Sequence, residues 1–155
     1  MKNSNFFESV GCAVNGIKAA CRSERNLRFH ISIANLICFF AAFYGLGRAE
    51  WAALVLTIVS VISAELFNTA VEKAVDTATT EFSPRAKLSK DAAAGAALVT
   101  AIGALFIGVC LFGDFEKITY ALKIIFTDMR ALAAAAALAA ADIVFLLRFK
   151  EKQKE

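Results

Sequence analysis

The chain has little of what soluble domains and common catalytic motifs are built from. It contains one proline and one tryptophan among 155 residues, and its only histidine is His30. The four cysteines form no CxxC pair and His30 has no second histidine within a helical turn, so neither a zinc site nor a disulfide framework is predicted. A GxxxxGK[ST] phosphate-binding loop and the motifs of soluble protein kinases are also missing. The net charge of +3 gives no reason to expect a nucleic-acid partner.

Apolar residues, in contrast, are more abundant than in an ordinary soluble domain. They make up 59% of the chain, whereas about 45–50% is typical. With one proline and few strand-like alternations, this composition predicts an all-α, polytopic membrane protein. We expect an amphipathic surface helix and hinge over residues 1–29, a three-helix membrane core over 30–112 and an extension over 113–155.

The period of the first segment predicts a helix lying in the membrane interface. Phe6, Phe7, Val10 and Val14 fall on one arc, and polar residues that include Lys18 fall on another. Four apolar runs then follow, interrupted by a polar segment at 72–91 and a mixed segment at 113–130 that we expect at the surface. The predicted spans are 31–47, 51–71, 92–112 and 131–147. The fourth span is mostly alanine and contains Asp142, so its hydrophobic drive is weak.

The second span carries a stripe of polar residues in the sequence WAALVLTIVSVISAELFNTAVEKAVD. On a helix, all five polar residues of the stripe lie within an arc of about 100°. They are Glu65, Asn68, Thr69, Glu72 and Asp76. A carboxylate that faces hydrocarbon costs about 2.5–3.5 kcal/mol, so this face is expected to line an interior or a water-filled site. The alternative, that the helix simply leaves the membrane here, applies best to Asp76.

Lysines and arginines indicate the orientation in the membrane. With four spans and a cytoplasmic amino terminus, thirteen of the 17 basic residues fall inside and four outside, as the positive-inside rule requires. We therefore expect a multi-pass protein of the cell inner (plasma) membrane. The polar stripe then lies on the cytoplasmic side, where ATP is.

Three pieces of the chain converge at that side: Glu24, the stripe of the second span, and Lys90 with Asp91. Paired carboxylates can hold Mg²⁺, a lysine can hold a polyphosphate, and another carboxylate can take a proton from an alcohol. Together these groups suit phosphoryl transfer. A carboxylate-lined helix that transports ions fits the same stripe, so spacing alone leaves both functions open.

The segments AELFNTAVEKAVD and PRAKLSKDAAAGAAL are similar to the signature of the prokaryotic membrane diacylglycerol kinase and undecaprenol kinase family. ERNLRFH and the turn at 48–51 resemble its Gram-positive-type branch. The resemblance covers roughly residues 5–112. It implies a homotrimer with three spans per subunit, embedded among membrane lipids, which transfers the γ-phosphate of ATP, with Mg²⁺, to a lipid alcohol.

The resemblance also implies roles for individual residues. The catalytic pair is Glu65, as general base, with Asn68, and the metal-holding pair is Glu24 with Glu72. Nucleotide binding falls to Lys90, Asp91, Glu72 and Glu24, and supporting positions are Asp76, Arg28, Asn15 and His30. His30 stands where the diacylglycerol-specific branch has a carboxylate, which favours undecaprenol as the substrate. The alternatives are a diacylglycerol kinase making phosphatidic acid and a non-enzymatic membrane protein or ion carrier. The resemblance implies no role for the extension.

Overall fold

The computed structural model describes residues 5–79 and 81–147, and within these ranges the chain forms six α-helices and no strand. This confirms the predicted all-α class. The helices are α1 (Phe6–Ser23), α2 (Arg25–Tyr44), α3 (Arg48–Ala78), α4 (Pro84–Leu111), α5 (Phe115–Thr127) and α6 (Met129–Leu147). Of these, α2, α3, α4 and α6 are long and apolar enough to cross a membrane.

The amphipathic helix α1 meets α2 at a one-residue bend, which we call the elbow. Glu24 has an extended backbone there (φ −104°, ψ 119°), and both neighbouring residues are helical. The hinge predicted at the end of residues 1–29 is therefore a single residue. The apolar side chains of α1, including Phe6, Phe7 and Val10, are exposed, as an interfacial helix requires.

A short turn joins the first two spans, so α2 and α3 run in opposite directions. Helix α2 ends at Gly45, whose left-handed backbone (φ +81°) favours glycine. Helix α3 begins soon after, where the backbone N–H of Gly47 donates to the Glu50 carboxylate at 2.6 Å. At 31 residues α3 is about 46 Å long, against a hydrocarbon thickness of about 30 Å. Its polar second half therefore extends beyond the apolar layer.

Helix α4 begins earlier than its apolar run. Pro84 is its first residue, a position at which proline loses no helical hydrogen bond, and the Ser83 hydroxyl accepts from the backbone N–H of Ala86. Pro84 therefore begins a helix inside the polar segment at 72–91, and α3 and α4 include most of that segment. Lys90 and Asp91 lie on the second turn of α4 rather than in a loop, so helical geometry fixes their position.

The helices form a layer with α3 and α2 in the middle. Helix α4 packs along α3, α2 lies on another side of α3, and α5 and α6 pack on α2. No residue of α4 is buried, and apolar side chains such as Leu98, Phe106 and Val109 are exposed along it. This is the surface expected of a helix that faces lipid or another subunit.

The carboxy-terminal extension is an integral part of this layer. Asp114 caps α5 by accepting from the backbone N–H groups of Glu116 and Lys117, and its own N–H donates to the Tyr44 hydroxyl at 3.1 Å. The mixed segment at 113–130 thus contains a surface helix. The predicted fourth span is confirmed as a helix that is long and apolar enough to cross.

Candidate active site

The polar stripe of α3 is buried at its first residues and exposed at its last. The Glu65 side chain lies inside the protein, at 5% exposure, and Thr69 beside it is buried with its hydroxyl donating to the Glu65 backbone carbonyl at 3.0 Å. One turn further on, Glu72 is half-buried, and Asp76 is exposed. The exposure of the predicted stripe thus increases along α3 from Glu65 to Asp76.

Asn68 joins the buried and open parts of the stripe. Its amide nitrogen donates to Glu72 Oε1 at 3.1 Å, which holds that carboxylate against α3. Its amide oxygen is buried and has no hydrogen-bond partner in residues 5–79 and 81–147. A buried carbonyl oxygen without a donor, next to a carboxylate, is a ready ligand for a hard cation.

The elbow brings Glu24 to the side of α3. Its carboxylate lies 3.6 Å from the ammonium of Lys73, the residue that follows Glu72. The buried guanidinium of Arg28 donates to the carbonyls of Cys21 (3.0 Å) and Arg22 (3.3 Å) and so fastens the end of α1 to α2. Burial raises the pKa of the Cys21 thiol, and the positive charge of Arg28 partly opposes this shift.

Lys90 reaches across from α4 to α3. Its ammonium is 2.8 Å from Asp76 Oδ1, a contact that sequence reasoning did not foresee, although it singled out both residues. Their opposite charges on either side of one short loop were the available signal. The pair borders a cavity of about 480 Å³ between the end of α3 and the start of α4, which Lys87 and Asp91 also line.

A second cavity, which we call the trough, was missed by sequence reasoning because it consists of ordinary apolar side chains. It holds about 310 Å³, with α3 as its floor and α2 and α4 as its walls. Ile62, at one end of the floor, is three residues from Glu65. Two polar residues, His30 and Thr57, line the trough. The Thr57 hydroxyl donates to the Ala53 carbonyl of its own helix, so His30 is the polar side chain left to interact with a bound molecule.

The other end of the trough is closed by aromatic rings. Phe112 packs against Phe40 and Tyr44 of α2, with ring centroids 5.7 Å and 5.0 Å away. The trough therefore runs from Phe112 to His30. Ile62, the last residue of α3 that lines it, comes about one helical turn before the buried Glu65.

Two other residues singled out from the sequence lie at the protein surface. Asn15 is exposed on α1, and Asp91 is exposed at the edge of the 480 Å³ cavity. In the described part of the chain, no group of three or more His, Cys, Asp and Glu side chains could hold a metal ion. A divalent cation here would therefore rely on two carboxylates and on oxygens of other kinds.

Comparison with known proteins identifies the family. The family model described as prokaryotic diacylglycerol kinase matches residues 11–112. An undecaprenol kinase of Bacillus subtilis is 39% identical over 109 residues, covering 70% of this chain and 89% of that protein. A diacylglycerol kinase of Synechocystis is 37% identical, covering 69% of this chain and 62% of that protein. A diacylglycerol kinase of Helicobacter pylori is 33% identical, covering 61% of this chain and 73% of that protein. No solved structure gives a significant match. The chain belongs to the prokaryotic diacylglycerol kinase family and is a membrane lipid kinase.

Proposed function

We propose that this kinase transfers the γ-phosphate of MgATP to undecaprenol at the cytoplasmic face of the plasma membrane, as a homotrimer. The observation that carries the proposal is that the buried carboxylate of Glu65 follows Ile62, the last residue of α3 that lines the apolar trough, by about one helical turn. A lipid alcohol needs this arrangement, because its tail must stay in apolar surroundings while its hydroxyl meets a polar group. The B. subtilis relative named undecaprenol kinase supports this choice of alcohol.

Glu65 is proposed as the general base. An alcohol is a poor nucleophile at neutral pH, and a positioned carboxylate can accept its proton as the phosphoryl group arrives. Lipid hydroxyls anchored by a tail in the trough would lie at the level of Glu65, one helical turn beyond Ile62. Asn68 supports the site by holding Glu72 on the same face of α3.

The residues around Glu72 fit a magnesium ion. Glu72 and Glu24 offer carboxylate oxygens and Asn68 offers its unpartnered amide oxygen, which are ligands of the kind that Mg²⁺ prefers. When bound, the metal neutralises charge on the phosphates. Lys90 and Asp91 border the adjacent cavity and are proposed to contact the nucleotide, with Asp76 orienting the Lys90 ammonium.

Glu65→Gln tests the proposal, since the amide keeps the shape of the side chain and cannot act as the base. We expect kcat to fall by at least about 100-fold with little change in MgATP binding. Glu116→Gln, which alters an exposed carboxylate on α5, is the matched control and should leave kcat unchanged. A Glu65→Gln variant that assembles normally and keeps near-normal kcat would remove Glu65 from the chemistry.

The acceptor is tested by assaying undecaprenol and diacylglycerol side by side in one detergent. Undecaprenol should give the higher kcat/KM. Preference for diacylglycerol would make this chain a diacylglycerol kinase, as the relatives from Synechocystis and H. pylori are named. Transfer to neither alcohol would favour the ion carrier.

A further inference from the structure

Helix α6 carries one carboxylate within its apolar run, and that carboxylate is buried. Asp142 is 6% exposed, and its Oδ1 accepts a hydrogen bond from the Asn35 amide of α2 at 2.9 Å. Ionisable side chains within membrane-spanning segments are rare and are usually functional. This pair, which we call the latch, joins the extension to a helix of the kinase core. The matched family model ends at residue 112, so it does not include Asp142.

The latch lies on a packing seam between the two helices. On α6 the inward positions include Ala131, Ala135, Ala139 and Asp142, spaced four, four and three residues apart. This spacing puts them on one face of the helix, and small side chains there let two backbones approach closely. Helix α6 packs on α2. The latch therefore fixes both the rotation and the depth of one helix relative to the other.

The same face of α2 leads to the elbow. Arg28, Ser32 and Asn35 follow the spacing of one helical face, and Arg28 and Ser32 are buried. Arg28 holds the carbonyls at the end of α1, next to Glu24. A rotation of α2 that broke the latch would therefore carry Arg28, and with it the elbow, away from its place beside α3.

We propose that Asn35 and Asp142 are positioning residues of the kinase: the extension holds α2 so that Glu24 at the elbow stays in place against α3. This inference rests on the proposed function for its effect on catalysis. Neither residue touches the reacting groups, since the latch is eleven residues along α2 from Glu24. Its effect on the site is transmitted through the rigid helix.

The activity test uses Asn35→Leu, Asp142→Leu, their double variant and Asp142→Asn. Each leucine variant should lower kcat by about 10-fold or more, because a displacement of about 1 Å can cost up to about 100-fold. Each should also raise the magnesium concentration for half-maximal rate, because Glu24, a proposed magnesium ligand, would be displaced. The double variant should be no worse than either single one. Asp142→Asn should be close to the parent protein, because its amide oxygen accepts the same hydrogen bond.

Cys21 gives a readout that does not depend on activity. In a variant that keeps Cys21 and replaces the other three cysteines, Asp142→Leu should speed maleimide labelling several-fold, because the half-buried thiol lies at the elbow. Ile143→Leu, a change at the exposed neighbour of Asp142, should leave labelling unchanged. If the parent protein phosphorylates no alcohol, the proposed function fails, and the labelling rate alone decides the positioning of the elbow.

A purely structural latch would give a different pattern. The leucine variants would then lower the melting temperature in detergent while kcat, the magnesium requirement and Cys21 labelling of the folded protein stayed at parent values. That result would overturn the proposal.

Discussion

Glu65 is a buried carboxylate at the point where α3 changes from apolar to polar. Fourteen uncharged residues precede it in α3, and its side chain remains buried although the helix becomes polar directly afterwards. The Thr69 hydroxyl bonds to the backbone of Glu65 rather than to its carboxylate. This contact therefore does not occupy the Glu65 carboxylate, as its proposed role as general base requires.

At the same scale, Glu72 is predicted to set the requirement for magnesium. Glu72→Gln removes a charge but keeps an oxygen that can accept from Asn68, so α3 should stay intact. We expect the magnesium concentration for half-maximal activity to rise and kcat at saturating MgATP to fall. A magnesium titration measures both, with Glu8→Gln on α1 as the control. An unchanged titration would mean that Glu72 does not bind the metal.

Single residues could be placed on faces from the sequence, but their partners could not be predicted. Helical periodicity alone put Glu65, Asn68 and Glu72 on one face, and the structure brings Asn68 and Glu72 into contact. The pairing of Lys90 with Asp76 depends on the angle between α3 and α4, which no local pattern contains. The latch between Asn35 and Asp142 spans 107 residues and depends on the fold in the same way.

At the scale of elements, the trough makes a prediction about α4. Gly108 lines it, and a Cβ added there would meet no atom within 4 Å, so a larger side chain would enter the empty space. Gly108→Leu should lower kcat/KM for undecaprenol by about 10-fold, with the KM for MgATP unchanged. The measurement is steady-state kinetics with each substrate varied in turn.

Gly103→Leu is the matched control. A Cβ at Gly103 also meets open space, but this residue does not line the trough. Equal losses in both variants would show that the helix surface, and not the trough, is what the substitution disturbs.

The spans themselves were the most predictable elements, because each is an apolar run of nearly the right length. Their ends were less predictable. Helix α4 starts at Pro84, eight residues before its apolar run, because proline and the Ser83 cap suit a helix start in a polar sequence. The bend could not be assigned to Glu24 from the sequence, since nothing there marks a one-residue break.

At the scale of the whole molecule, α2 is the helix that links the kinase core to the carboxy-terminal extension. It contacts the α3–α4 pair through α3 and the α5–α6 pair on another side. Apolar composition could not reveal this order, because the apolar residues of each span are spread around the helix and α4 has no buried side at all. Asn35 and Tyr44 both make polar contacts with the extension, although a separation of nine residues puts them on opposite faces of α2.

Four crossings predict that both ends of the chain lie on the same side of the membrane. A reporter fused after Glu155 should read as cytoplasmic, as the ratio of thirteen to four basic residues requires. A reporter inserted after Gly113 should read as external, and one inserted after Gly45 provides a control on that side. An external signal from the fusion after Glu155 would mean that α6 does not cross.

The aromatic closure at Phe112 has a consequence for how the enzyme would exchange a very long tail. With one end blocked by rings packed on Phe40 and Tyr44, a polyprenyl chain cannot thread lengthwise past the helices. In the described part of the chain, α2 and α4 meet only through Phe112 at the end of α4, so the rest of the space between them has an open side. Substrate and product would then enter and leave sideways, within the plane of the bilayer. Turnover would depend on lateral diffusion in the lipid and would need no helix to open.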